Sequence, residues 1–182
     1  MNTKKLVLCA MFAALTCVLS PIAIPMPGGV PITLATFSVM LAGCLLGPGA
    51  GTLSQLIYLL IGMIGVPVFS GMRGGIGVLA GMTGGYLIGY LLLAAVSGGL
   101  YRLYCKKSTG GSVWLRRAVL MLSMICGTLC LYVFGTAWFM IITGNTLAVS
   151  LTACVLPFLP GDFVKMILVA FLVPVLSKKI QI

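Results

Sequence analysis

The chain has 182 residues, 61% hydrophobic and only 7% charged, with a net charge of +10 and a mean hydropathy of +1.25. An ordinary soluble domain needs about 25% charged residues to cover its surface, so a water-soluble globule is excluded. The basic residues cluster between long apolar runs, which points to membrane topology and away from nucleic acid, and the ten-residue alternation of a membrane β-barrel is missing. The composition reads as an all-α integral membrane protein.

Six membrane-spanning helices are expected in a single domain, 1–182, at about 4–25, 32–46, 49–65, 76–104, 114–140 and 160–177. The first follows the basic start of "MNTKKLVLCAMFAALTCVLS" and reads as a retained span, a cleaved signal peptide being the alternative. It carries Ala10 and Ala14, a small-x-x-x-small pair that permits close helix contact, either inside the bundle or with a separate membrane subunit. Clusters of Pro and Gly then punctuate the chain: "SPIAIPMPGGVP" (20–31), "GPG" (47–49) and "GVPVFSGMRGG" (65–75). "GPGAGTLS" (47–54) lacks the lysine of a nucleotide-binding loop.

The glycine-rich stretch 65–90 has two readings. It is either a loop leading into a closely packed helix, or a ligand-facing loop. In the second case backbone N–H groups, those of Gly74 and Gly75 included, approach a bound molecule and Arg73 offers its fork to a carboxylate. Gln55 and Tyr58 in the third helix, Tyr86 and Tyr90 in the fourth, and Asn145 are polar groups in apolar surroundings; the two amides need partners there. The piece 141–159 is apolar but interrupted by Gly144 and Pro157, and reads as a partial helix. The seven cysteines form no C-x-x-C and no histidine exists, so they read as small packing residues and no metal or other cofactor is expected.

Charge placement orients the chain. Lys4 and Lys5, then Arg102, Lys106, Lys107, Arg116 and Arg117, then Lys178 and Lys179 all fall on one side if there are six spans. The positive-inside rule makes that side, with both termini, cytoplasmic. Arg73, Lys165 and Asp162 are left over, and all three fall toward the opposite face. Asp162, in "LPGDFVK" (159–165), is the single acidic residue of the chain. It reads either as an N-cap or first-turn acid partnered by Lys165 three residues on, or as an acceptor for a small polar ligand. An ion retained inside a membrane is a functional candidate by default. One carboxylate and no histidine leave no acid/base pair for an enzyme. Two other classes stay open: a stand-alone proton-coupled or facilitative carrier using Asp162, and a structural membrane subunit.

Three segments, "GVPITLATFSVMLAGCLLGPGAG" (29–51), "YLLIGMIGVPVFSGMRGGIGVLAGMTGGYLIGY" (58–90) and "LPGDFVK" (159–165), together resemble the BioY family, the biotin-specific substrate-binding (S) components of energy-coupling factor (ECF) transporters. The resemblance implies a six-helix S-component bundle in the bacterial plasma membrane that binds biotin from outside, beneath the loops joining helices 1–2 and 3–4. It implies as partners a transmembrane scaffold subunit and two cytoplasmic ATPases, with the Ala10 and Ala14 face as the docking surface. Biotin presents a ureido ring, an apolar body and a tail carboxylate. On this reading Asp162 accepts the ureido N–H groups and Lys165 holds either Asp162 or the ureido carbonyl. Arg73, Tyr86 or the glycine-rich loop serves the tail, with Arg73 and Lys165 exchangeable, while Phe69, Tyr58 and Tyr86 supply apolar walls. Two positions depart from the family pattern: Ala35 stands where Gln is usual, and Met82 where Pro is usual.

Overall fold

The computed structural model describes residues 3–26, 28–107 and 112–180, and of Lys107 and Lys179, counted above among the basic residues, the side chains lie outside that description. Seven α-helices and one two-stranded hairpin are present among these residues. They are α1 (Thr3–Leu19), β1 (Ala23–Ile24), β2 (Ile32–Thr33), α2 (Ala35–Met63), α3 (Ile76–Ala80), α4 (Gly84–Lys107), α5 (Val113–Thr143), α6 (Leu147–Cys154) and α7 (Phe158–Ile180). By length and composition alone α2, α4, α5 and α7 would suffice to cross a membrane, though α2 is interrupted within its length.

Of the expected helices the fourth divides, while the break between the second and third and the partial helix over 141–159 are present, each with a local cause. The second and third expected helices run together as α2, but Gly47 breaks it with φ 81° and ψ 176°, a conformation that only glycine adopts without strain, and Pro48 follows. The two halves then fold back on one another. A Cβ on Gly51 would lie 2.8 Å from the Cα of Gly43, eight residues away, a contact impossible along one straight helix. The expected fourth helix divides into α3 and α4, because Gly81 is extended at φ −83° and ψ −173°. The partial helix expected over 141–159 is α6, set off by the left-handed Gly144 and by the turn before Phe158.

The small residues of the α2 turn let α4 pack directly on it. A Cβ on Gly43 would meet the Ala94 carbonyl at 2.7 Å, and one on Gly98 would strike the Gly43 carbonyl. Arg102 lies beside Gly47, so this turn sits at the end of the bundle that holds the basic residues. Arg117 stacks there over Phe171, at 4.6 Å, and Trp114, at 5.7 Å. The loops gather at the opposite end. There Trp138 of α5 donates to the Gly81 carbonyl at 3.1 Å, and β1 pairs antiparallel with β2, Ala23 opposite Thr33.

The first half of α2, from Ala35 to the break at Gly47, is about 12 residues or roughly 18 Å long, well short of a hydrocarbon core of about 30 Å. The hairpin precedes it at the loop end, and the cavity described below lies beside it. Replacing Gly98 by Val should cost about 1–3 kcal/mol through overpacking of the α2–α4 contact. Thermal melting of the detergent-solubilised variant is expected several degrees below the parent, and equal melting would show that the two helices are not so closely apposed.

Candidate ligand site

A cavity lined by the Asp162–Lys165 pair lies at the loop end, between β2, the start of α2, α4, α5 and the first turns of α7. About 510 Å³ of non-atom space lies within its walls, part of it open to solvent. It is also narrow: only about 40 Å³ admits the centre of a water molecule. Thr33, Thr36, Tyr86, Tyr90, Tyr132, Asp162 and Lys165 give it polar groups, while Val30, Leu87, Leu131 and Phe158 give it apolar walls.

At one wall sits the ion pair. Asp162 is 3% exposed and Lys165 7%, with Lys165 Nζ 2.9 Å from Asp162 Oδ1. The remaining partners come from other elements. Thr36, in the first turn of α2, donates to the same Oδ1 at 3.0 Å, and Tyr132 of α5 donates to Oδ2 at 2.6 Å. Lys165 Nζ also donates to the Thr33 carbonyl at 2.7 Å and to Thr36 Oγ1 at 2.9 Å. An ammonium has three protons, so all three of Lys165 are used within the protein. The node therefore ties α7 to β2, α2 and α5.

Asp162 is the fifth residue of α7, which starts at Phe158 and has no acid in its first turn. The N-cap or first-turn reading is thus corrected: the turn at 155–157 moves the helix start upstream, past Pro160 and Gly161, and the carboxylate turns inward to side-chain donors.

The other sequence candidates divide. Tyr86 lines the cavity, its hydroxyl 3.1 Å from Thr136 Oγ1. Tyr58 and Phe69 are fully buried behind it: their rings meet edge-on at 5.6 Å, and the Tyr58 hydroxyl lies 2.6 Å from Ser20 Oγ, a cavity residue. Arg73 does not join Asp162 and Lys165. It is exposed, donates through Nε to the Ser70 carbonyl at 3.2 Å, and lines an adjoining groove that shares Thr83 with the cavity. Gly74 packs the 64–75 loop on itself and Gly75 ties it to the end of α2. A Cβ on Gly74 would strike the Val66 carbonyl, and the Gly75 N–H is bonded to the Gly62 carbonyl. Gln55 is buried in the core with Nε2 on Ser54 Oγ and Oε1 without a partner among the described residues, away from the cavity lining. Asn145 is exposed, at a separate groove beside α6. Of the two departures from the family pattern, Ala35 is fully buried beside Thr36, and the Met82 thioether lies over Gly29 at the loop end.

Thr36 and Tyr132 were missed by the sequence reading. Thr36 stands three residues after Thr33 just where α2 begins, a weak signal; Tyr132 is one hydroxyl in a long apolar helix.

The BioY family model matches residues 1–182. The chain belongs to the BioY family. Among its relatives is a probable biotin transporter BioY of Pyrococcus horikoshii, 39% identical over 165 residues that cover 91% of each chain. Another is the biotin transporter BioY of Thermotoga maritima, 34% identical over 179 residues covering 98% of each. The fold matches a crystal structure of the S-component for biotin from an ECF-type ABC transporter with a TM-score of 0.82, at 32% identity and over 98% of this chain and 95% of that one. The BioY membership makes this chain a transport component and not an enzyme.

Removing one partner of the buried pair should be far more harmful than removing both charges. Lys165→Met leaves the carboxylate uncompensated and is expected to cost about 3–5 kcal/mol. The double variant Asp162→Asn/Lys165→Met should recover most of that loss in a melting experiment. A double variant no more stable than Lys165→Met would show that the charge balance of the node is unimportant.

Proposed function

We propose that this protein binds biotin in this cavity and serves as the substrate-specific subunit of an ECF-type transporter. The observation that carries the reading is the buried Asp162–Lys165 pair lining a narrow cavity in a chain whose relatives are named biotin transporters. A ureido ring needs an acceptor for its N–H groups, and Asp162 is the one carboxylate available. Lys165 acts on Asp162 and not on the ureido carbonyl, because its three protons are already placed. Tyr86 and Tyr90 form aromatic wall for the ring system, and Arg73, next to the mouth through Ser70 and Thr83, attracts the tail carboxylate.

Six spans follow if α1, the two halves of α2, α4, α5 and α7 each cross the membrane, the short α2 halves being completed by flanking chain. The basic end then faces the cytoplasm and the cavity opens outside, at the plasma membrane of a bacterial-type cell. The scaffold subunit and two ATPases of an ECF module are the expected partners. Ala10 and Ala14 are exposed on α1, between the exposed Val7, Met11 and Val18, as a docking face requires.

Calorimetry of the purified chain with biotin should give saturable 1:1 binding, and Asp162→Ala should weaken it tens-fold or more, at about 1.4 kcal/mol per tenfold. Full affinity in that variant would refute the assignment of Asp162, and absence of heat and of thermal shift with the parent would refute the function. Ala10→Trp should abolish co-purification with a co-expressed ECF scaffold subunit while leaving the biotin titration unchanged. Retained co-purification would remove α1 as the docking face.

A further inference from the structure

The hydrogen bonds of the node can be counted to completion, and the count leaves one opening. A carboxylate has about four lone-pair positions. Oδ1 of Asp162 receives two protons, from Thr36 at 3.0 Å and from Lys165 at 2.9 Å. Oδ2 receives one, from Tyr132 at 2.6 Å. Thr36 has only one proton, and Lys165 Nζ already donates to Thr36 Oγ1, so the Thr36 hydroxyl is fixed in direction: it accepts from the lysine and donates to the aspartate. Neither hydroxyl is a passive neighbour. Each comes from a different helix, each lines the cavity, and together they hold the carboxylate plane against rotation.

We propose that Thr36 and Tyr132 are positioning residues for biotin recognition, holding Asp162 so that a single acceptor site, on Oδ2, faces the cavity. This rests on the biotin reading and deepens it: Asp162 takes one ureido N–H and not both, and the second N–H is met by another group. The two hydroxyls set the specificity of the site through the aspartate. Their loss frees the carboxylate to turn, to be bonded by other donors, or to open a second acceptor position.

The test is a set of biotin titrations of the full chain in detergent, with Thr36→Val and Tyr132→Phe made alone and also in the Asp162→Asn background. Each single substitution is expected to weaken biotin by about tenfold, the size of a hydrogen bond to a charged group. In the Asp162→Asn background each should add less than about twofold, because a residue acting through the carboxylate has nothing left to act on. Thr36→Ser, which keeps the hydroxyl, should restore parental affinity; this arm separates lost positioning from damaged folding. The proposal is overturned if either substitution keeps its full cost in the Asp162→Asn background, since that residue then meets the ligand itself. It is overturned equally if both single variants bind as the parent does, or if Thr36→Ser fails to rescue. A parent protein that binds no biotin would instead refute the functional reading beneath the proposal.

Discussion

Placing a carboxylate inside an apolar bundle is unfavourable unless every one of its demands is met, and the structure is organised around meeting them. An isolated buried charge costs several kcal/mol even after relaxation. Asp162 avoids that cost by gathering Lys165 from its own helix, Thr36 from α2 and Tyr132 from α5. Lys165 in turn reaches the Thr33 carbonyl at the end of β2. Four elements are thereby fastened at one point, and the cavity lies among them. The pair is electrically neutral as a unit, so the wall it forms can face a polar but uncharged ring without a stray charge on either side.

The rest of the fold creates room for that wall. Gly47 turns α2 back on itself, and the first half of α2 is consequently short. Small residues at Gly43, Gly51 and Gly98 hold the halves of α2 and α4 close at the basic end, where no cavity is needed. At the loop end the hairpin and the 64–83 connection border the space instead, with Trp138 donating to the Gly81 carbonyl. The exposed small face of α1, with Ala10 and Ala14, lies outside the cavity lining.

Much of this was legible because the chain is nearly devoid of charge. Nine basic residues fall on one side under the expected six-span topology, which left Asp162, Lys165 and Arg73 in view. The structure brings the first two together and leaves Arg73 at the rim, because its guanidinium folds onto Ser70. The break at Gly47-Pro48 was visible as "GPG" and α6 as an interrupted apolar piece over 141–159, whereas the brief helix α3 is too short for apolar periodicity to declare. Asp162 after Pro-Gly looked like a cap; only the turn before Phe158 reveals that the helix has already begun. Thr36 and Tyr132 could not be found by spacing at all. A single hydroxyl in an apolar run carries no pattern, and its role depends on a residue 126 or 30 positions away.

The central claim is that the Asp162 carboxylate receives the ureido ring while Lys165 stays on the protein. A crystal structure of the biotin complex tests it most directly. The account predicts one ureido nitrogen within hydrogen-bond distance of Asp162 Oδ2, roughly 2.7–3.2 Å, with Lys165 still on the Thr33 carbonyl and the tail carboxylate toward Arg73. Biotin seated the other way round, its tail carboxylate on Lys165 and its ureido ring at the mouth, would contradict it.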